Sequence, residues 1–231
     1  MRSVLPLLCI AACTLHAGTQ SKIAIGDVVY NYVGCVYIDP QTGSGEVAGY
    51  FISFAGIEGS PFSGTPSEAT AYFTFRSEPL TFSEFTAGDL TAIVLNEGKW
   101  HVYYNPAPAG KWSDPTSFSQ GQVVVDFNHN ALEQVTVGQV TTSVFSGDLL
   151  ESFPFVYGGK PINLGDYVPN GIVNFGTQST TSFTQAQTLQ FPIVLPFAGS
   201  KGASTRGMPG TSKQICDWRR ACLPRSGTAA G

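Results

Sequence analysis

The sequence contains few charged residues for its length. Lys, Arg, Asp and Glu make up 12% of the 231 residues, about half of the ~25% that is usual in globular proteins. Between Gly18 and Ser200 there are five basic residues against 15 acidic ones, which leaves a net charge of −10. An acidic surface repels phosphate backbones and anionic lipid headgroups. We therefore expect no nucleic-acid partner and no binding to anionic membranes.

The chain also lacks the residue clusters on which most catalytic and metal sites are built. Of the five cysteines only Cys35 lies in the body of the chain, so no disulfide framework and no C-x-x-C pair is present there. His101 and His129 are the only histidines of the body, and they form no H-x-H or H-E-x-x-H motif. A G-x-S-x-G motif is absent as well. These gaps predict no catalytic residue, no metal site and no cofactor, and they favour a protein that is not an enzyme.

The first residues have the pattern of a secretory signal peptide. Arg2 provides a positive charge, Val4–Leu15 is mostly apolar, and Ala17 is a small residue at which cleavage is expected. The apolar run is too short to cross a bilayer, which takes about 20 residues. We expect residues 1–17 to be a signal peptide of a bacterial protein that is secreted or placed at the cell surface, with no transmembrane segment. The sequence ending in Cys13 also resembles a lipoprotein box, and the alternative is a lipid anchor on that cysteine.

The body of the chain consists of short β-prone runs separated by Gly, Pro, Asn and Ser. Asp27–Asp39 and Glu46–Ala55 predict one hairpin, and Thr91–Asn105 predicts another with a Gly-containing turn. We expect a turn at Asn128–Ala131, and one helical turn within Ser83–Asp89. No longer helical period is present, so crossover helices for a parallel sheet are lacking. The sequence predicts an all-β fold, a single antiparallel sandwich or flattened barrel of about ten strands.

The composition changes abruptly near Ser200. From Lys201 to Gly231 there are six basic residues against Asp217 alone, and the alternating β pattern ends. We therefore place the all-β domain at residues 18–199 and expect residues 200–231 to be a disordered basic tail. The alternative is that the tail is not native sequence and comes from a shifted reading frame.

Aromatic residues are concentrated on one predicted strand and the loop after it. In a strand alternate side chains share a face, so Trp100, Val102 and Tyr104 should point into the core. Tyr103 and Trp112 then remain as candidate ligand-binding residues, because exposed rings stack on sugars in carbohydrate-binding β-proteins.

Three functions fit these patterns. The first is an exported, non-enzymatic domain with a structural, adhesive or surface-binding role, with a glycan or another cell-surface component as the partner. The second is a carbohydrate-binding module that uses Trp112 and Tyr103. The third is a small-ligand barrel or an enzyme with a buried pocket, which predicts an internal cavity lined by Tyr and Phe and holding a buried carboxylate.

Overall fold

The computed structural model describes residues 23–88, 90–95, 98–137, 140–180 and 182–204. Within these residues the chain forms twelve β-strands and three short 3₁₀ helices. The strands are β1 (Val28–Asp39), β2 (Ser44–Phe54), β3 (Phe73–Ser77), β4 (Leu80–Ala87), β5 (Leu90–Leu95), β6 (Gly98–Tyr104), β7 (Gln122–Val137), β8 (Val140–Ser152), β9 (Phe155–Tyr157), β10 (Lys160–Ile162), β11 (Ile172–Ser179) and β12 (Ile193–Ala203). The 3₁₀ helices are Pro115–Ser119, Leu164–Asp166 and Thr184–Ala186.

Eight of the strands close into an antiparallel barrel. Around the wall they follow the order β1, β2, β3, β6, β7, β8, β11 and β12, and β12 pairs again with β1. The remaining long strands extend this wall, since β4 pairs with the start of β2, and β5 pairs with the second half of β7. Strands β9 and β10 form a separate two-stranded sheet. The predicted all-β antiparallel fold is confirmed, and its main sheet is a closed barrel.

The alternation of side chains along β1 explains how the barrel is filled. Tyr30 and Tyr32 are buried and belong to the main cluster, whose other buried rings come from β2, β3, β6, β7 and β9. Cys35 and Tyr37 have the opposite parity and belong to a second cluster. Both faces of β1 therefore carry apolar side chains. The outer face is covered as well, by a second layer of the protein.

The covering layer consists of two loops. Phe118 lies in the 3₁₀ helix Pro115–Ser119 and packs in the second cluster with Phe191, from the loop before β12. The hydroxyl of Tyr37 donates a hydrogen bond to the backbone oxygen of Trp112 at 2.8 Å. These contacts bury part of the outer wall under residues 105–121 and 182–192.

A pair of glycines makes room for an aromatic ring inside the barrel. Gly34 of β1 faces Gly49 of β2 in the register of the two strands. A Cβ atom added at Gly34 would lie 2.9 Å from the Phe75 ring, and one added at Gly49 would lie 2.6 Å from it. Both distances are too short for a real contact. The ring of Phe75 therefore occupies the space of two missing side chains, an arrangement that suits a curved sheet.

Three local predictions are wrong. The hairpin predicted at Thr91–Asn105 does not form, because the described residues of β5 and β6 do not pair with each other and instead pair one after the other, both antiparallel, with β7.

The other two wrong predictions concern single elements. Asn128–Ala131 is not a turn, because β7 runs through these residues from Gln122 to Val137. The helical turn expected within Ser83–Asp89 is part of strand β4, which pairs with β5 from Phe82 onward. In both places pairing with a neighbouring strand overrides the local preference of Asn, Ser and Glu.

The fold also continues past the end that the change in composition suggests. Strand β12 runs to Ala203, four residues beyond Gly199, and Lys201 is fully buried. The predicted signal peptide with Cys13 lies outside the described residues, as does the predicted tail from residue 205 onward.

Candidate functional site

The barrel contains a small cavity with a mixed lining. Its volume is about 40 Å³. Its aromatic wall is formed by Tyr32, Phe75, Trp100, Phe145 and Phe197. Its polar lining residues are Ser77, His129, Ser143, Thr177 and Lys201. A cavity of this size has room for about three water-sized groups.

Lys201 is the most unusual residue of the cavity. Strand β12 places it inside the barrel with an exposed fraction of 0%, and its Nζ atom has no hydrogen-bond partner. The Nζ atom lies over the Phe145 ring, 4.8 Å from the ring centre of Trp100 and 5.0 Å from that of Tyr32. Burial lowers the pKa of Lys201 well below its ordinary value, because a desolvated ammonium is costly. The site therefore favours the neutral amine, which has a free lone pair.

His129 adds a second unpartnered nitrogen to the cavity. It comes from β7 on the same face as Val125 and Phe127, and its ring centre is 4.6 Å from that of Phe145. Nδ1 is buried without a hydrogen-bond partner. The pKa of His129 is lowered to about 4, mainly by burial and to a smaller extent by the nearby Lys201. The imidazole is neutral at pH 7.

A hydrogen-bonded network supports the wall next to the amine. The Tyr32 hydroxyl bonds to Thr177 and donates to Asn174 Oδ1 at 3.2 Å. Asn174 Nδ2 donates to the backbone oxygen of Ser143 at 2.6 Å. Burial raises the pKa of Tyr32 to about 12, so the phenol stays protonated. The network fixes Tyr32, whereas the Lys201 amine, like His129 Nδ1, is left without a partner.

The one cysteine of the described residues is not part of this site. Cys35 is buried in the second cluster, outside the barrel lumen. Burial raises the pKa of its thiol to about 12. A protonated thiol is a poor nucleophile, so Cys35 acts as a packing residue.

A second, more open groove lies on the outside of the barrel. Its volume is about 410 Å³, and it is lined by Glu46, Arg76, Asp114 and Gln190, among others. Arg76 Nη2 donates to Glu46 Oε2 at 2.7 Å. This ion pair occupies the polar part of the groove wall.

Neither predicted ligand-binding ring is an exposed platform. Trp112 is half-buried, and its ring centre lies 5.0 Å from that of Phe118 and 5.8 Å from that of Tyr50. Tyr103 is also half-buried, on the outer face of β6, with its ring centre 6.2 Å from that of His101. Each ring packs against its own neighbours, and neither lines the cavity in the barrel.

Sequence reasoning missed both basic residues of the cavity. His129 could have been found, since it continues the alternation of Val125 and Phe127 toward the core. Lys201 had no comparable signal, because the glycines around it resemble a linker. The buried-pocket hypothesis expects a carboxylate in the cavity, and the structure places an amine there instead.

The stability of a Lys201→Met variant tests whether the buried amine is neutral or is an ammonium stabilised by the surrounding rings. Methionine keeps an unbranched side chain, and it removes a buried polar group without a hydrogen bond, which costs about 1–3 kcal/mol. We expect the free energy of unfolding at pH 7 to rise by about 2 kcal/mol in urea denaturation. The difference in stability between the variant and wild type should shrink toward pH 10. At pH 7 the unfolded wild type binds one proton more at Lys201 than the folded protein does, and it loses that proton toward pH 10.

Lys160→Met is the matched control for this variant. Lys160 is exposed on β10 and pairs with Glu58 at 2.6 Å. We expect its replacement to change stability by less than about 1 kcal/mol. A Lys201→Met protein that is less stable than wild type would show that the surrounding rings stabilise an ammonium, and would contradict the expected neutral amine.

No helix in the described part of the chain is long and apolar enough to cross a membrane. In the same part of the chain no three His, Cys, Asp or Glu side chains are grouped as they would be in a metal site.

Comparison of the chain with protein-family models, with curated proteins and with solved structures finds no match.

Proposed function

We propose that this protein is an exported β-barrel that binds a small ligand inside the barrel, with an oxygen of the ligand against the Lys201 amine. The observation that carries the proposal is the fully buried Nζ atom without a partner, at the edge of a cavity. A buried polar group without a hydrogen bond costs about 1–3 kcal/mol. A ligand that accepts a hydrogen bond from Nζ removes this cost.

The lining defines the chemical class of this ligand. Apolar side chains, mainly aromatic ones, form most of the wall, so the body of the ligand is apolar. A neutral amine donates a hydrogen bond, and a carbonyl or carboxylate oxygen accepts one. The volume of about 40 Å³ limits the ligand to a few non-hydrogen atoms.

The size of the ligand also limits its affinity. The best very small ligands gain about 1.5 kcal/mol per non-hydrogen atom, so four atoms give a dissociation constant no tighter than about 0.04 mM. The measurement must therefore detect weak binding.

The proposal differs from the two surface-binding hypotheses in the place of contact. Trp112 and Tyr103 are half-buried by neighbouring rings, which leaves little free ring face for stacking on a sugar. The barrel interior instead provides a cavity that is already formed. This favours the buried-pocket hypothesis, with binding in place of catalysis.

Fluorine NMR on protein labelled with 5-fluorotryptophan tests the proposal. Trp100 lines the cavity and Trp112 lies in the outer cluster, so each reports on one region. The third tryptophan, Trp218, lies outside the described residues and gives a separate signal. Titration with propanone and with propanoate should shift the Trp100 signal to saturation and leave the Trp112 signal unchanged. The Lys201→Met variant should bind about tenfold more weakly, which corresponds to the loss of one hydrogen bond.

Each signal is assigned by a Trp→Phe variant, and Lys160→Met is the control for the lysine replacement. Shifts that do not saturate, or that are the same in Lys201→Met and wild type, would contradict the proposal. A shift of the Trp112 signal alone would contradict it too, and would direct attention to the outer groove.

A further inference from the structure

We propose that Lys201 forms a covalent imine with small aldehydes that enter the barrel. This inference rests on the proposed function, because the aldehyde must first occupy the cavity. It goes further by assigning to Lys201 a bond-forming role in addition to hydrogen bonding.

The surroundings of Nζ meet the first requirement for imine formation, which is a free lone pair. An ammonium has none, and a lysine that donates to a carboxylate is held as an ammonium. Lys201 has no hydrogen-bond partner and is surrounded by the rings of Phe145, Trp100 and Tyr32. Burial of this kind is how proteins activate lysine as a nucleophile.

The reaction balances without any further reagent. The Nζ lone pair attacks the carbonyl carbon, and one amine proton moves to the carbonyl oxygen to give a carbinolamine. Loss of the hydroxyl group with the remaining proton on nitrogen releases one water molecule and leaves a neutral C=N bond. No oxidant, metal or cofactor takes part.

The cavity also favours the imine over its hydrolysis. An imine in water reverts to amine and aldehyde, and exclusion of water slows that reaction. The wall near Nζ consists mainly of aromatic side chains, and the small volume leaves little room for water beside a bound aldehyde.

Three other lysines of the described residues, Lys99, Lys111 and Lys160, are exposed and provide an internal comparison. Lys160 is exposed and ion-paired with Glu58 at 2.6 Å, and Lys99 is exposed with Glu78 at 3.9 Å. Solvent-exposed lysines are in general protonated at pH 6.5. Selective reaction at Lys201 under these conditions therefore reports on the buried site.

Reductive trapping with propanal tests the inference. The full-length protein is incubated with propanal and cyanoborohydride at pH 6.5, and peptide mass spectrometry locates each added propyl group. We expect Lys201 to be labelled about tenfold or more faster than Lys160, since each unit by which a pKa is lowered raises the neutral fraction tenfold. Propanoate, which occupies the same cavity without reacting, should slow labelling of Lys201 and leave that of Lys160 unchanged.

Two controls keep this result separate from the proposed function. Lys201→Met should lose the fast labelling and keep the slow labelling of Lys160, and protein unfolded in urea should show no preference for Lys201. If propanal shifts the fluorine signal of Trp100 but Lys201 is not labelled faster than Lys160, imine formation is wrong and binding in the cavity stands. If propanone, propanoate and propanal all leave that signal unchanged, both proposals are wrong.

Discussion

Replacing Phe75 with alanine should lower the free energy of unfolding by about 4 kcal/mol, since buried Phe→Ala changes cost about 3–5 kcal/mol. Phe75 has an exposed fraction of 0%, and its ring centre lies 4.9 Å from that of Trp100 and 5.3 Å from that of Phe51. Its ring also fills the space beside Gly34 and Gly49. The loss should not fall below this range, because neither glycine has a side chain that could fill the space.

Phe85→Ala is the matched control for this change. Phe85 lies on β4 with an exposed fraction of 60%, so its replacement should cost less than about 1 kcal/mol. Both variants are measured by urea denaturation with circular dichroism. Equal losses in the two variants would show that Phe75 is not part of a tightly packed interior and would contradict the structure of the barrel lumen.

Local sequence patterns could predict part of the core and one of the hairpins. The alternation of Trp100, Val102 and Tyr104 predicts that they face the core, and this is confirmed. Trp100 and Val102 are buried, and the Tyr104 ring stacks on that of Phe73 with ring centres 5.3 Å apart. The first hairpin is also confirmed as β1 and β2. Both features depend on residues close together in the chain.

Closure of the barrel depends on residues that are far apart. Tyr32 of β1 pairs with Gly199 of β12 at the opposite end of the body. Alternating apolar and polar residues are expected in a sandwich as well as in a barrel. The sequence pattern therefore predicted the class of fold and left its closure open.

The position of Lys201 could not be predicted for a related reason. Gly199 and Gly202 flank it, and a Cβ atom at either would collide with a neighbour, Thr177 at the first and the Phe175 ring at the second. Strand β12 has glycine there because other strands supply the side chains. Without those strands the same residues look like a flexible linker with one basic charge.

Whether the rings of Trp112 and Tyr103 are exposed depends on distant residues in the same way. The ring of Trp112 packs against Phe118 and Phe183, from two loops that the sequence treats as separate surface segments. Whether a loop lies over a strand depends on its tertiary contacts, and composition alone does not contain them.

Acidification should destabilise the protein through His129. Its folded-state pKa of about 4 lies below the ordinary value of 6.5 because the imidazole is buried. Between these values the unfolded chain binds one proton that the folded protein does not bind, so stability falls as pH falls. The difference of about 2.5 pKa units corresponds to a loss of about 3 kcal/mol, which is complete below pH 4 and absent above pH 6.5.

Carboxyl groups also titrate over this range, so the test compares variants over the whole pH series. The free energy of unfolding of wild type and His129→Gln is measured from pH 7.5 to pH 3.5, and wild type should lose about 3 kcal/mol more than the variant. His101→Gln is the matched control, because it removes the other histidine of the body, which bonds to Asp126 at 2.6 Å, and leaves His129 in place. The extra loss should persist in this control. A wild type that loses no more stability than His129→Gln would show that the imidazole is not buried in the cavity, and would remove the second basic group from the site around Lys201.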